Sequence, residues 1–174
     1  MNPSEFEDAY EDKARLRGAI VTDPISTLRP HAAVAVRPST SVFDAVHLMN
    51  QKKMGCVCVT EVTPGKPERL VGIFSERDVL RKVVEQGLDV RKTLVSQLMT
   101  RDPETLTPQD KIAFALNKMH VGGYRHIPLV ENGVLVGIIS IRDIADFLVA
   151  LFPDGVLNVP PEPSLGIPTR PDGG

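Results

Sequence analysis

The sequence predicts an α/β fold built from two tandem copies of one small unit, each running short strand, helix, strand, hairpin turn, strand, helix. Three observations predict it. The segment Leu70-Val71-Gly72-Ile73-Phe74-Ser75-Glu76-Arg77-Asp78-Val79 returns 65 positions later as Leu135-Val136-Gly137-Ile138-Ile139-Ser140-Ile141-Arg142-Asp143-Ile144, with seven of ten residues identical. Val42, Ala45, Val46 and Met49 fall at i, i+3, i+4, i+7, the apolar face of a helix, and Ile112, Ala115, Leu116 and Met119 repeat that face 70 positions on. Turn signals stand at the same place in both copies, Pro64-Gly65 in one and Asn132-Gly133 in the other; Asn-Gly is the favoured type I′ hairpin pair.

The elements follow in register. Ile25-Ser26-Thr27-Leu28 aligns with Val95-Ser96-Gln97-Leu98 at the head of each unit, and Pro38 with Pro108 ahead of each amphipathic helix. Val57-Cys58-Val59 then matches Ile127-Pro128-Leu129 as a strand. After it the offset drops from 70 to 65, because ten residues (60–69) connect the strands of the first hairpin and five (130–134) those of the second. A length change confined to a turn is cheap, since loop closure grows only slowly more costly with length. The third strand is the repeated segment itself, and a helix follows, ended in the first unit by Gly87. These limits divide the chain into an acidic extension (1–23), a first unit (24–92), a second unit (93–151) and a Pro/Gly-rich tail (152–174). From Pro153 onward the tail holds six prolines and four glycines in 22 residues, which excludes regular helix and central strand. A unit of about 60 residues is marginal alone, so the two copies are expected to share a core.

Composition excludes several function classes. The 22 acidic and 20 basic residues leave a net charge of −2, without the basic excess of a general nucleic-acid binder. A local group, Arg77, Arg81, Lys82, Arg91 and Lys92, reads as a solvated helix face. No apolar run reaches the ~18 residues of a membrane span. The acidic segment Met1 to Lys13 lacks an apolar signal core, and a cytoplasmic location is expected. Cys56 and Cys58 lie on one face of a strand and read as small buried hydrophobes. The four histidines are scattered, no zinc-ligand spacing is present and no GxSxG nucleophile elbow occurs, so no catalytic or metal residue is assigned.

The repeat keeps polar letters as well as apolar ones. Ser75, Arg77 and Asp78, like Ser140, Arg142 and Asp143, stand where a strand gives way to a helix. Ser with an acid three residues on caps a helix start, and the acid favours the dipole. Capping explains Ser and Asp but neither the repeated Arg nor the repeated Gly72 and Gly137. The same geometry suits a nucleoside phosphate. A helix start attracts anions, Asp accepts from both ribose hydroxyls, Arg matches phosphate, and Gly admits a neighbouring backbone or a flat ring.

The two repeated segments, together with Gly123-Tyr124-Arg125-His126-Ile127-Pro128-Leu129-Val130, resemble a tandem pair of CBS domains (cystathionine-beta-synthase-type domains, a Bateman module) over about residues 24–151. The resemblance implies β-α-β-β-α units related by a pseudo-twofold axis, packed through their small sheets, with two clefts between them. It implies a stand-alone regulatory module, not an enzyme, that requires no cofactor. The regulatory ligand would be an adenine nucleotide (AMP, ADP or ATP), with S-adenosylmethionine or NAD as weaker candidates. Signalling would proceed by a conformational or assembly change, as a homodimer acting on an unnamed protein partner. A ligand-free interaction module is the alternative. By the same resemblance one better site is expected around Ser140, Arg142 and Asp143, with Thr107 at adenine, Tyr124, Arg125, His126 and Pro128 nearby, and Ile127 and Ile138 as walls. A weaker site is expected around Ser75, Arg77 and Asp78, because the first unit carries Arg37, Met54, Gly55, Cys56 and Cys58 at the aligned positions.

Overall fold

A computed structural model describes residues 18, 20–65 and 67–151; the acidic extension through Arg17 and the Pro/Gly-rich tail lie outside the described residues. The first half contains β1 (Ala35–Val36), α1 (Val42–Lys52), β2 (Cys56–Glu61) and β3 (Arg69–Ser75). Helix α2 starts at Glu76–Asp78 and continues in π geometry through Val79–Val84. The second half contains α3 (Val95–Leu98), β4 (Thr100–Arg101), α4 (Ile112–Gly122), β5 (His126–Glu131), β6 (Val134–Ser140) and α5 (Ile141–Leu151). Each unit opens on a helical turn, not on the short strand the sequence suggests. Ile25–Leu28 forms a 3-10 turn, and β1 follows it.

Local chemistry accounts for the ends of these elements. Ser41 caps α1 by accepting from the Asp44 amide at 3.1 Å, and Asp44 sits in the positive first turn. Asn132 and Gly133 have φ of 51° and 80°, the two left-handed residues of a type I′ turn. Gly87, at φ 62°, follows the π turn as the sequence suggests. The apolar faces face inward: Val42, Ala45 and Met49 of α1 and Ile112, Ala115 and Met119 of α4 are buried.

The first sheet has the order β1-β2-β3-β4, with β1 parallel to β2 and the other pairs antiparallel. The second is the antiparallel pair β5-β6, flanked by single bridges from Leu106 and His31 that reproduce the same order. The strand that completes each sheet comes from the other repeat. Thr100 and Arg101 pair with Ile73 and Gly72, whereas His31 pairs with Ile138.

The exchange extends to the cores. Ile25 heads the first repeat but is fully buried with Leu106, Ile112, Ile127 and Ile139 of the second half. Its amide donates to Asp110 at 2.8 Å, and the Ser26 amide to Pro108 at 2.8 Å. Reciprocally, Val95, Leu98 and Met99 complete the core of Val57, Val59 and Phe74 in the first half, and the Val95 amide donates to Thr40 at 2.9 Å. A third cluster, Cys56, Cys58 and Ile138 with Leu70, Ile73 and Leu135 around it, joins the two sheets.

The crossings also explain the repeated glycines. A Cβ at Gly72 would collide with the Met99 side chain and lie 3.1 Å from the Thr100 carbonyl oxygen; one at Gly137 would lie 3.1 Å from the His31 carbonyl oxygen. The flat neighbour that these glycines admit is the exchanged backbone. Ile25→Ala is therefore expected to cost about 2–5 kcal/mol, as for a buried aliphatic truncated in a packed core. Hydrogen exchange should locate the lost protection in β5 and β6, with β2 and β3 less affected.

Candidate functional site

Both repeated motifs sit at the edge of the inter-sheet contact, where a strand end feeds a helix start. Ser75 pairs with Cys56 across the first hairpin, and Ser140 with His126 across the second. In each motif one carboxylate oxygen closes the helix start. Asp78 Oδ2 accepts from the Ser75 amide at 2.9 Å and its hydroxyl at 2.7 Å. Asp143 Oδ2 accepts from Ser140 at 2.6 and 2.9 Å. The other oxygen meets a cation-forming group: Lys82 Nζ lies 2.6 Å from Asp78 Oδ1, and His31 Nε2 lies 3.0 Å from Asp143 Oδ1. The Ser–Asp pair is thus a cap in both halves, and each Asp keeps a second oxygen beside a cleft.

The first cleft, about 370 Å³, opens at Ser75, Arg77 and Asp78. The second, about 650 Å³, opens at Ser140, Arg142 and Asp143. Both volumes fall in the ~300–1,000 Å³ range of small-molecule sites. Gly55, Glu76, Arg125 and His126 border both clefts and form the wall between them. Each cleft is composite. The motif of one half faces the loop after the amphipathic helix of the other half, and an exchanged segment closes the side.

This crossing revises the expected site. Tyr124 lines the first cleft, not the second. Its hydroxyl donates to Glu104, which also holds Lys118 at 2.9 Å. Burial and that carboxylate push the Tyr124 phenol up to about 12, while the Tyr124 and Lys118 contacts hold the Glu104 carboxyl below its usual range. Arg125 and His126 border both clefts. Arg77 donates to the Gly123 carbonyl, and Arg142 lies 3.7 Å from Asp146 at the exposed rim of the second cleft. Ile138 lines the second cleft.

Three expected residues stand elsewhere. Ile127 is fully buried in the second core, because alternation along β5 points it away from His126. Pro128 is buried within the sheet, its carbonyl accepting from the Leu106 amide. Thr107 borders neither cleft; its hydroxyl donates to Asp110 at 2.9 Å in the turn before α4.

Several cleft residues escaped the sequence reading. Lys52, Lys53, Met54 and His31 of the first repeat line the second cleft, whereas Thr100, Asp102 and Glu104 line the first. The repeated Gly72 and Gly137 were the available signal, since they require a crossing backbone. The basic group suggested along the first half is dispersed: Lys82 pairs with Asp78, Lys92 lies 3.7 Å from Asp89, and Arg91 covers the Phe43 ring.

Cys56 and Cys58 are free, buried thiols. Burial, then the neighbouring Cys58, Glu76 and Asp78, push the Cys56 thiol far up, and burial lifts Cys58 to about 12. Among the described residues no group of three or more His, Cys, Asp or Glu could hold a metal.

The family comparison agrees with this architecture. The CBS domain model matches residues 18–85 and 95–150. The chain belongs to the CBS-domain family. This CBS pair is 38% identical over 106 residues to the mitochondrial CBS domain-containing protein CBSX3 of Arabidopsis thaliana, a match covering 60% of this chain and 50% of that protein. Against CBSCBSPB2 of the same plant it is 34% identical over 67% of this chain but only 21% of the relative, so the CBS pair spans half or less of these two curated relatives. Among solved structures it is similar to a CBS-domain protein from Agrobacterium tumefaciens, at 31% identity and TM-score 0.64, covering 72% of this chain and 93% of that one. It is also similar to a CBS domain protein from Pyrobaculum aerophilum complexed with AMP, at 28% identity and TM-score 0.64, covering 74% and 98%. Among the described residues of the CBS pair, no helix is long and apolar enough to cross a membrane.

His126 yields a pH prediction. Its burial, then the Arg125 charge, lower its pKa, with Asp143 and Glu76 opposing. The folded state therefore favours the neutral ring. Stability should be insensitive to this group above its unfolded pKa of about 6.5 and should fall as pH drops below it, since the unfolded chain then binds the proton more readily. Melting curves between pH 7.5 and 5 should show a shallower decline for His126→Gln than for the parent.

Proposed function

We propose that this CBS pair is a regulatory module that binds an adenosine-containing nucleotide in its inter-unit clefts, AMP, ADP or ATP ahead of S-adenosylmethionine or NAD. The observation that carries the reading is the pair of Ser–Asp helix starts, each opening onto a composite cleft and leaving one carboxylate oxygen at its edge. Ribose hydroxyls would compete with Lys82 and His31 for those oxygens, and Arg77, Arg125 and Arg142 supply charge for phosphate. The Pyrobaculum relative complexed with AMP supports the ligand class.

The second cleft is the better nucleotide site on this reading, with Ser140, Arg142, Asp143, Arg125, His126 and Ile138 from the expected set. The Ser75, Arg77 and Asp78 cleft, with Tyr124, is the weaker one for nucleotides. Ile127, Pro128 and Thr107 act at most by supporting the strand and turn around them. On this reading the module acts through conformation or assembly. Exposed apolar side chains on the helices, including Leu80, Val84 and Val121, support a homodimer. A cyanobacterial CBS-CP12 relative, 26% identical over 72% of each chain, is hexameric.

Thermal-shift titration tests the reading. A ligand at 100 times its Kd stabilises the native state by about 2.7 kcal/mol, a rise in melting point of roughly 5–10 °C for a chain of this size. Asp143→Ala should remove most of the AMP or ATP shift, measured against its own unliganded melting point because the cap is lost as well. Asp78→Ala should remove less. No shift with AMP, ADP, ATP, S-adenosylmethionine or NAD would instead favour the ligand-free interaction module.

A further inference from the structure

We propose that the two clefts divide ligands by charge: the second takes the phosphorylated nucleotide, and the first prefers an adenosine derivative that carries no phosphate. The inference rests on the adenosyl reading above and assigns each cleft its ligand class.

The argument comes from comparing positions that the repeat makes equivalent. Lys52 and Lys53 stand at the second cleft, and their counterparts 70 positions on, just before Tyr124 of the first cleft, are Gly122 and Gly123. Asp102 and Glu104 stand at the first cleft, and their counterparts, 70 positions earlier, are Ala32 and Val34. Four pairs of equivalent positions thus differ by four charges, all in the direction that makes the second cleft more positive; Asp146, at the second cleft where the repeat has Arg81, runs the other way but lies 3.7 Å from Arg142. The wall residues Glu76, Arg125 and His126 border both clefts and cancel from the comparison.

Existing pairs do not erase the difference. Lys118 offsets Glu104 and Lys82 offsets Asp78, which brings the first cleft towards neutrality; among the described residues its remaining cations are Arg77 and Arg125, and Arg125 is shared with the second cleft. Arg77 is itself committed to the Gly123 carbonyl. Lys52 and Lys53 make no ion pair among the described residues, and Lys53 holds a left-handed backbone, φ 53°, at the end of α1. Phosphate oxygens entering the second cleft find two unpaired ammonium groups; those entering the first find the Asp102 and Glu104 carboxylates. The volumes run the same way, about 650 Å³ against 370 Å³. Tyr124 adds an aromatic wall to the smaller cleft, which suits an uncharged ring.

Isothermal titration of the full chain with adenosine, 5′-methylthioadenosine, AMP and ATP, at low and high salt, tests the division. Lys52→Gln/Lys53→Gln should weaken ATP about tenfold or more and AMP less, flatten the salt dependence of ATP binding, and leave adenosine and 5′-methylthioadenosine unchanged. Asp102→Asn, which removes a carboxylate without disturbing the Tyr124 contact, should admit AMP to the first cleft as a second binding event. Unchanged ATP affinity in the lysine variant, or an equal loss for adenosine, overturns the division while leaving the adenosyl reading intact. Failure of the parent protein to bind any of the four overturns both.

Discussion

The reciprocal crossing of backbone between the two halves is the constraint on which the rest of the structure depends. Neither sheet is complete without the segment that heads the other repeat, and neither core closes without it: Ile25 fills the second, and Val95 and Leu98 fill the first. The crossing fixes Gly72 and Gly137, because the carbonyls of Thr100 and His31 occupy the space a side chain would take. It also resolves how two units of marginal size become stable. Each buries the other's leading residues, and the joint is continuous with both cores instead of being a surface contact added afterwards.

The clefts inherit this geometry. Because leading segments and post-helix loops cross over, the residues facing a Ser–Asp motif come mainly from the opposite repeat. Substitutions in the first repeat accordingly shape the second cleft: Met54 lines the cleft of Asp143, while Tyr124 lines that of Asp78. Asymmetry between the copies is therefore real but reversed in place. The aromatic ring belongs with the first motif and the lysines with the second. Fold and cleft composition are two consequences of one exchange.

How much of this was legible in the sequence follows from range. Repeats, helix faces and the Asn132-Gly133 turn are local signals with fixed periods, and they named the elements and their order. The capping role of Ser75–Asp78 and Ser140–Asp143 was also local, three residues apart. Ile127 was misplaced by one step of strand alternation, which a buried run such as Ile127-Pro128-Leu129 does not display, since all three are buried. Thr107 was misplaced because turn capping by Asp110 competes for its hydroxyl. Lys52, Lys53, Asp102 and Glu104 were invisible as cleft residues, because their placement depends on the crossing, and a crossing leaves only the glycines that tolerate it.

The two aspartates also differ in what a ligand must displace, and the difference has mechanical content. Asp78 Oδ1 is held by Lys82, four residues along the same helix, whose ammonium also donates to the Leu98 carbonyl. A hydroxyl taking that oxygen displaces a side chain of the same helix, which keeps its bond to Leu98 on the exchanged segment. Asp143 Oδ1 is held by His31, which arrives on the exchanged segment whose carbonyl pairs with Ile138. A hydroxyl taking that oxygen removes a contact between exchanged segment and helix start, at the crossing itself. Ligands shift conformations only through differential affinity for the alternative states, and of the two aspartates only Asp143 has its second oxygen held by a side chain of the other half. The caps themselves survive in either case, because Oδ2 stays with the Ser amide and hydroxyl. The helix start can remain rigid while the crossing beside it yields.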